Sequence, residues 1–183
     1  RVMNLLIDID GCICTYDFPR ITKEIFGVAV PNDGIWTYDL ETSLGVATED
    51  VTKMFVSQLY VPPNFQTGAM ETLRHFMDKG DMICVFTNRL AFMLEQQLHE
   101  WLTKYEIPTH AIVKTPLNGV YDFHIDDSPR KMMNVDKHTL NKLLFNNPWN
   151  SHCLNITGKL QRVHSWAEIR KVIDKARSLR YSE

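Results

Sequence analysis

Short apolar runs recur along this chain, and each stops at polar residues. Val2 to Ile7 is β-branched and leucine-rich and ends at Asp8, which predicts a strand buried on both faces. Similar runs at Met82 to Phe86, His110 to Val113, Phe123 to Ile125 and Leu143 to Phe145 predict further strands. Between them the period changes to that of a helix. Leu73, Phe76 and Met77 form an apolar stripe within Thr67 to Lys79, and Leu90, Met93, Leu94, Leu98, Trp101 and Leu102 form a longer one reaching Tyr105. Ser165 and Glu168 spell a capping box ahead of Trp166, Ile169, Ile173 and Ala176, which marks a last helix. Strands alternating with helices predict an α/β fold built on a doubly wound parallel sheet, Rossmann-like in plan.

One stretch breaks the alternation. Between Cys14 and Gln66 no buried strand is evident, while Thr48 to Tyr60 and Ile21 to Phe26 are helical in pattern and Pro31, Pro62 and Pro63 act as breakers. Fifty residues exceed an ordinary connection, so residues 15–66 are expected to form a helical insertion after the first strand, with residues 1–14 and 67–183 making the core domain.

Composition narrows what such a fold can do. With 183 residues, 44% apolar and 23% charged, the chain fits one ordinary domain with room for that insertion. Its formal charge of −2 supplies no broad positive field for a polyanion, so a long nucleic acid is not an expected partner and an anionic ligand must be gripped locally. No run approaches the roughly 20 apolar residues of a membrane span, and a cytoplasmic, membrane-free protein is expected. Cys12, Cys14, Cys84 and Cys153 lack the paired spacing of zinc or redox motifs, and buried reduced thiols are the expectation. The seven histidines likewise show no metal-ligand spacing.

Ligands of open parallel sheets collect beyond the carboxyl ends of the strands, so the residues that follow each strand are the candidates for chemistry. After the first strand come Asp8 and Asp10; after the second, Thr87 and Asn88; after the third, Lys114; after the fourth, Asp126 and Asp127. Clustered carboxylates repel unless a hard divalent cation sits among them, and Mg²⁺ favours a few carboxylate oxygens together with water and phosphate. Thr87 and Lys114 are donors of the kind that a phosphoryl group needs. Asp8 could then attack phosphorus, and Asp10 could protonate the leaving oxygen and later activate water.

In this arrangement the chain resembles the haloacid dehalogenase-like phosphohydrolases, and the likeness runs from Leu5 to about Asn150. The four motifs of that superfamily stand in order as Asp8-Ile9-Asp10-Gly11, Val85-Phe86-Thr87-Asn88, Lys114 and Ile125-Asp126-Asp127-Ser128-Pro129. The resemblance implies Asp8 as nucleophile and metal ligand, Asp10 as acid/base and backbone ligand, Thr87 and Lys114 as phosphate binders, and one or both of Asp126 and Asp127 as holders of Mg²⁺. It also implies that the insertion is a helical cap. The small cap, the form of the fourth motif and the later Leu143-Leu144-Phe145-Asn146-Asn147-Pro148-Trp149-Asn150 are most similar to the 5′(3′)-deoxyribonucleotidase group.

Plainer roles compete with several of these. Asp126 and Asp127 could cap a helix that opens at Ser128-Pro129, Lys114 could be a solvated loop lysine, and Asn88-Arg89 could merely open the next helix. Tyr16, Phe18, Trp36 and Tyr38 could stack on a nucleobase or simply form the core of the insertion; Tyr16 and Tyr38, whose hydroxyls suit a wet site, are the favoured pair. The expectation is a Mg²⁺-dependent phosphomonoesterase acting on a small phosphate ester, with a nucleoside monophosphate foremost and a homodimer left open. A sugar-phosphate phosphatase, a nucleic-acid 3′-phosphatase and a non-catalytic binding module are its rivals.

Overall fold

A computed structural model describes residues 1–30, 40–115, 120–135, 139–153 and 160–179. Six strands, β1 (Asn4–Ile7), β2 (Met82–Val85), β3 (Ala111–Ile112), β4 (Tyr121–Asp126), β5 (Thr139–Phe145) and β6 (Leu160–Val163), form one sheet in the order β3-β2-β1-β4-β5-β6. All five pairings are parallel. The strand order reverses between β1 and β4, which is where an open α/β sheet leaves a crevice at its carboxyl edge. Register fixes what lies there. Ile7 pairs with Ile125, and the Asp8 N–H donates to the Ile125 carbonyl at 3.0 Å, so Asp8 and Asp126 leave the sheet side by side.

The helices are α1 (Phe18–Phe26), α2 (Leu40–Leu44), α3 (Thr48–Gln58), α4 (Ala69–Asp78), α5 (Glu95–Lys104), α6 (Pro129–Asn134) and α7 (Trp166–Leu179). The apolar faces of α4 and α7 cover the sheet: Leu73, Phe76, Trp166, Ile169 and Ile173 pack into one buried cluster with Leu5, Ile7, Ile83 and Val85. Trp166 is fully buried, and its indole N–H donates to the Cys12 carbonyl at 2.9 Å, which fastens α7 to the loop after β1. The Ser165–Glu168 cap forms with a shift of one residue: Glu168 N–H donates to Ser165 Oγ, but the Glu168 carboxylate accepts from His164 N–H.

Helices α1, α2 and α3 occupy the stretch between β1 and α4 and share a second buried cluster of Phe18, Ile21, Val30, Leu40, Val51 and Met54, joined by Trp149 from after β5. The two ends of this stretch are stitched together. Thr15 N–H donates to the Asn64 carbonyl, Gln66 N–H donates to the Ile13 carbonyl, and Cys14 bridges Phe65. The single long helix expected from Leu90 to Tyr105 is corrected. Residues Asn88–Ala91 form a 3₁₀ turn, and α5 starts only at Glu95. The apolar stripe that spans both is genuine at Leu98, Trp101 and Leu102, but the first turn swings the Arg89 side chain into the protein, and the chain then opens to extended geometry at Leu94.

Among the described residues all four cysteines are free, with Cys12 and Cys14 buried. Burial pushes the Cys12 thiol well up and that of Cys14 to about 12, with nearby carboxylates adding to both shifts, so neither is an ionised thiolate near neutrality. No helix among the described residues is long and apolar enough to cross a membrane. Because Trp166 joins two layers through its ring and its N–H, Trp166→Ala is expected to lower stability by about 3–5 kcal/mol, read from the midpoint of urea unfolding at unchanged slope.

Candidate active site

Three buried carboxylates meet at the carboxyl edge of β1 and β4. Asp8, Asp126 and Asp127 each place an oxygen within 4.8 Å of the others. Gly11 lies against one of them: it stands at φ +84°, and its imagined Cβ would be 2.0 Å from Asp127 Oδ2. Only a residue without a side chain lets the first loop approach that carboxylate so nearly. Asp127 Oδ2 also accepts the indole N–H of Trp149 at 2.7 Å.

Asp126 is paired through both of its oxygens. Its Oδ1 accepts Ser128 N–H at 2.9 Å, and its Oδ2 lies 3.1 Å from both His124 Nε2 and Lys131 Nζ. Burial alone would raise its pKa, but Lys131, His124 and the Ser128 amide outweigh it and hold the carboxyl below its usual value. Asp8 is different. Burial pushes its pKa up, with Asp126 and Asp10 adding to the effect and Lys131 opposing it. Its Oδ1 is 3.0 Å from Lys131 Nζ, near enough for an ion pair, yet this buried oxygen makes no well-aligned hydrogen bond. Lys131 itself donates to the Phe86 carbonyl at 2.8 Å, and Asp8 and Asp126 outweigh its desolvation and hold it protonated.

Asp10 lies apart from this cluster. Arg89 donates from Nη2 to Asp10 Oδ1 at 2.8 Å and from Nε to Oδ2 at 2.9 Å, while the Tyr16 hydroxyl donates to Oδ1 and itself accepts from Arg89 Nη2 at 2.9 Å. Burial, reinforced by the Asp10 carboxylate, keeps the Tyr16 phenol far above its usual pKa, so it acts only as a neutral hydroxyl.

A cavity of about 440 Å³ opens over these groups. Its polar floor holds Asp8, Asp10, Asn88, Arg89 and Asp127, and its wall is built by Tyr16, Phe18, Phe55, Leu59, Phe92 and Trp149, with Gln58 and Arg130 also lining it. Phe18 meets Phe55 and Trp149 edge to face at centroid distances of 6.0 and 5.3 Å. An apolar wall over a charged floor is the form of a small-molecule site.

Of the sequence-derived candidates, Asp8, Asp10, Asn88, Asp127, Tyr16 and Phe18 line this one cavity, and Asp126 places an oxygen within 4.8 Å of Asp8. Thr87 is buried beneath Asn88, where its Oγ accepts Arg89 N–H at 3.2 Å. Trp36 and Tyr38 lie outside the described residues. Asp126 and Asp127 do not cap α6; that place is taken by Ser128, whose Oγ accepts Lys131 N–H. The structure does not bring Lys114 to the carboxylates. Its side chain is 66% exposed and ion-paired with Glu95 at 2.6 Å; β3 lies at the edge of the sheet, with β2 and β1 between it and β4. The lysine beside Asp8 is Lys131, which the first turn of α6 aims back toward β1. Arg89, Phe55, Phe92 and Trp149 were not legible as site residues either, although Trp149 stands in the quoted stretch after β5.

A family model described as "5′ nucleotidase, deoxy (Pyrimidine), cytosolic type C protein" matches residues 1–179. No curated protein matches the chain. Among solved structures, a predicted phosphatase from Clostridium acetobutylicum is similar with a TM-score of 0.64 at 17% identity, over 96% of this chain and all of that one. A haloacid dehalogenase-superfamily hydrolase from Ehrlichia chaffeensis gives 0.57 at 11% identity, over 96% and 98% of the two chains. The D,D-heptose 1.7-bisphosphate phosphatase from B. bronchiseptica, complexed with magnesium and phosphate, gives 0.53 at 7% identity, over 96% and 99%. At these identities the likeness is one of fold.

The two lysines give a direct test. Lys131→Met is expected to lower turnover by about 100-fold or more, as for loss of a charged donor at a reacting centre, whereas Lys114→Ala should stay within about threefold of the parent. Steady-state rates on one phosphate ester, with circular dichroism as the check of folding, distinguish the two.

Proposed function

The chain belongs to the 5′ nucleotidase, deoxy (pyrimidine), cytosolic type C family of haloacid dehalogenase-like phosphatases, and from that premise we propose that it hydrolyses nucleoside monophosphates, deoxynucleotides foremost, with Mg²⁺ as cofactor. The observation that carries this reading is the shape of the cavity. A floor with one nucleophile-bearing strand end lies beneath a wall of Phe18, Phe55, Phe92 and Trp149, and about 440 Å³ suits a single base and sugar rather than a polymer. The cytosolic location named in the family's description belongs to the same reading.

The carboxylates fit a hard divalent ion. Asp8, Asp126 and Asp127 offer three close oxygens of the kind Mg²⁺ takes, and Asp8 Oδ1 is buried without an aligned donor. Bound there, the ion would supply the counter-charge that keeps Asp8 ionised despite its burial and would offset the charge of an arriving phosphate.

In the first transfer a carboxylate oxygen of Asp8 forms a bond to phosphorus, the ester P–O bond breaks, and the departing oxygen takes its proton from Asp10. In the second, Asp10 takes a proton from water as that water attacks phosphorus, the Asp8–phosphorus bond breaks, and inorganic phosphate leaves. Lys131 holds Asp8 and Asp126 in place between them, and Asn88 lies where it can bind a phosphoryl oxygen. The aromatic wall excludes bulk water and offers faces for a base, whose stacking contributes roughly 1–3 kcal/mol in nucleic-acid binders. The helices between β1 and α4, with their own apolar cluster and stitched ends, act as a cap over this site.

Phosphate release from dUMP, dGMP, a sugar phosphate and a 3′-phosphorylated oligonucleotide, with Mg²⁺ present, tests the substrate class. The deoxynucleotides are expected to give the highest kcat/KM; preference for the sugar phosphate or the oligonucleotide overturns it. A chelator should abolish turnover and Mg²⁺ should restore it. Asp8→Asn is expected to lose all measurable turnover without loss of fold, and parental rates in that variant would remove Asp8 from the nucleophile's role.

A further inference from the structure

Arg89 makes a set of contacts unlike those of any other cation in the site. It is only 2% exposed, and its guanidinium stacks on the Trp101 ring at 4.0 Å from the centroid. Nε and Nη2 form a two-pronged pair with the Asp10 carboxylate, and Nη2 also donates to the Tyr16 hydroxyl. Nη1 points the other way and donates to the carbonyl of Leu59 at 3.4 Å, at the C-terminal end of α3. One planar group therefore joins the loop after β1, the loop after β2 and the end of the insertion.

From this geometry we propose that Arg89 is the positioning residue of the reaction: it fixes the Asp10 carboxylate in the orientation that proton transfer requires, and through Leu59 it ties that orientation to the seating of the insertion. The proposal rests on Asp10 as the acid/base of the function put forward above. A carboxylate that is 35% exposed on its side chain and lies outside the acidic cluster would otherwise be held at one oxygen alone, by the Tyr16 hydroxyl. The fork adds the second hold because a guanidinium meets both oxygens in one plane, and only one orientation of Asp10 satisfies both bonds. The load on the two oxygens is unequal. Oδ1 receives Nη2 and the Tyr16 hydroxyl, whereas Oδ2 has Nε as its short contact, so Oδ2 is the oxygen with room to exchange a proton with substrate or water. Stacking on Trp101 anchors the guanidinium in turn, since a buried planar cation on an indole face cannot tilt without losing contact with it.

Arg89 acts through Asp10 and not on the phosphate, and this gives a signature that general damage would not produce. kcat/KM reports events up to the first irreversible step, the transfer to Asp8, and in that step Asp10 serves only to protonate the leaving oxygen. An alkyl ester needs that proton and p-nitrophenyl phosphate does not. Arg89→Met is therefore expected to lower kcat/KM by about 100-fold for the best alkyl phosphate of the substrate panel, and by far less for p-nitrophenyl phosphate. In an Asp10→Asn background the same change should cost less than about twofold more, because the two residues act as one unit. Arg89→Lys keeps a buried cation but not the fork; it should show the same split between esters at smaller amplitude, and it carries the test should the methionine variant fail to fold. Equal losses on both esters, or losses that multiply in the double variant, overturn the proposal. Rejection of nucleotides in favour of another alkyl phosphate would sink only the substrate reading, because the pair of esters is chosen by leaving group. Wild-type protein inert toward both esters would overturn both.

Discussion

Three carboxylates held within 4.8 Å of one another in a buried corner set the terms for everything around them. Unopposed, their repulsion and desolvation would unfold the corner or neutralise the groups. The chain opposes them with the buried Lys131 ammonium and a set of hydrogen-bonding partners. Lys131 bridges Asp8 and Asp126, the Ser128 amide and His124 take the other positions on Asp126, and the Trp149 indole takes Asp127. Asp8 Oδ1 lies near Lys131 Nζ but makes no aligned hydrogen bond.

The backbone serves the same constraint. Reversal of strand order between β1 and β4 opens the crevice, and their parallel register brings Asp8 level with Asp126. Gly11 then lets the first loop fold tightly against Asp127. Ahead of the insertion, the Ile9 carbonyl gathers the amides of Cys12, Ile13 and Cys14, so the loop turns back on itself and delivers the chain to α1 beside the pocket. Fold and site are one arrangement seen at two scales.

Much of this was legible in the sequence, because parallel strands are written as apolar runs and polar residues mark their carboxyl ends. Asp8, Asp10, Asn88, Asp126 and Asp127 could be located in that way, as could the helical insertion. What escaped was whatever depends on a return through space. Lys131 sits after the fourth motif, and only the first turn of α6 aims it back at Asp8, whereas Lys114, after β3, is paired with Glu95. Arg89 looked like the opening of a helix, because its apolar neighbours at Leu90, Met93 and Leu94 continue the stripe of α5. The aromatic wall draws Phe55 from α3, Phe92 from after the 3₁₀ turn and Trp149 from after β5, and no local period connects them.

Trp149 belongs to two structures at once. Its ring completes the apolar cluster of the insertion, edge-on to Phe18, while its N–H holds a carboxylate of the acidic corner. An indole is rigid, so a displacement at one rim cannot be absorbed before it reaches the other. The wall of the pocket and its acidic floor therefore share one rigid side chain, and neither surface is built without the other.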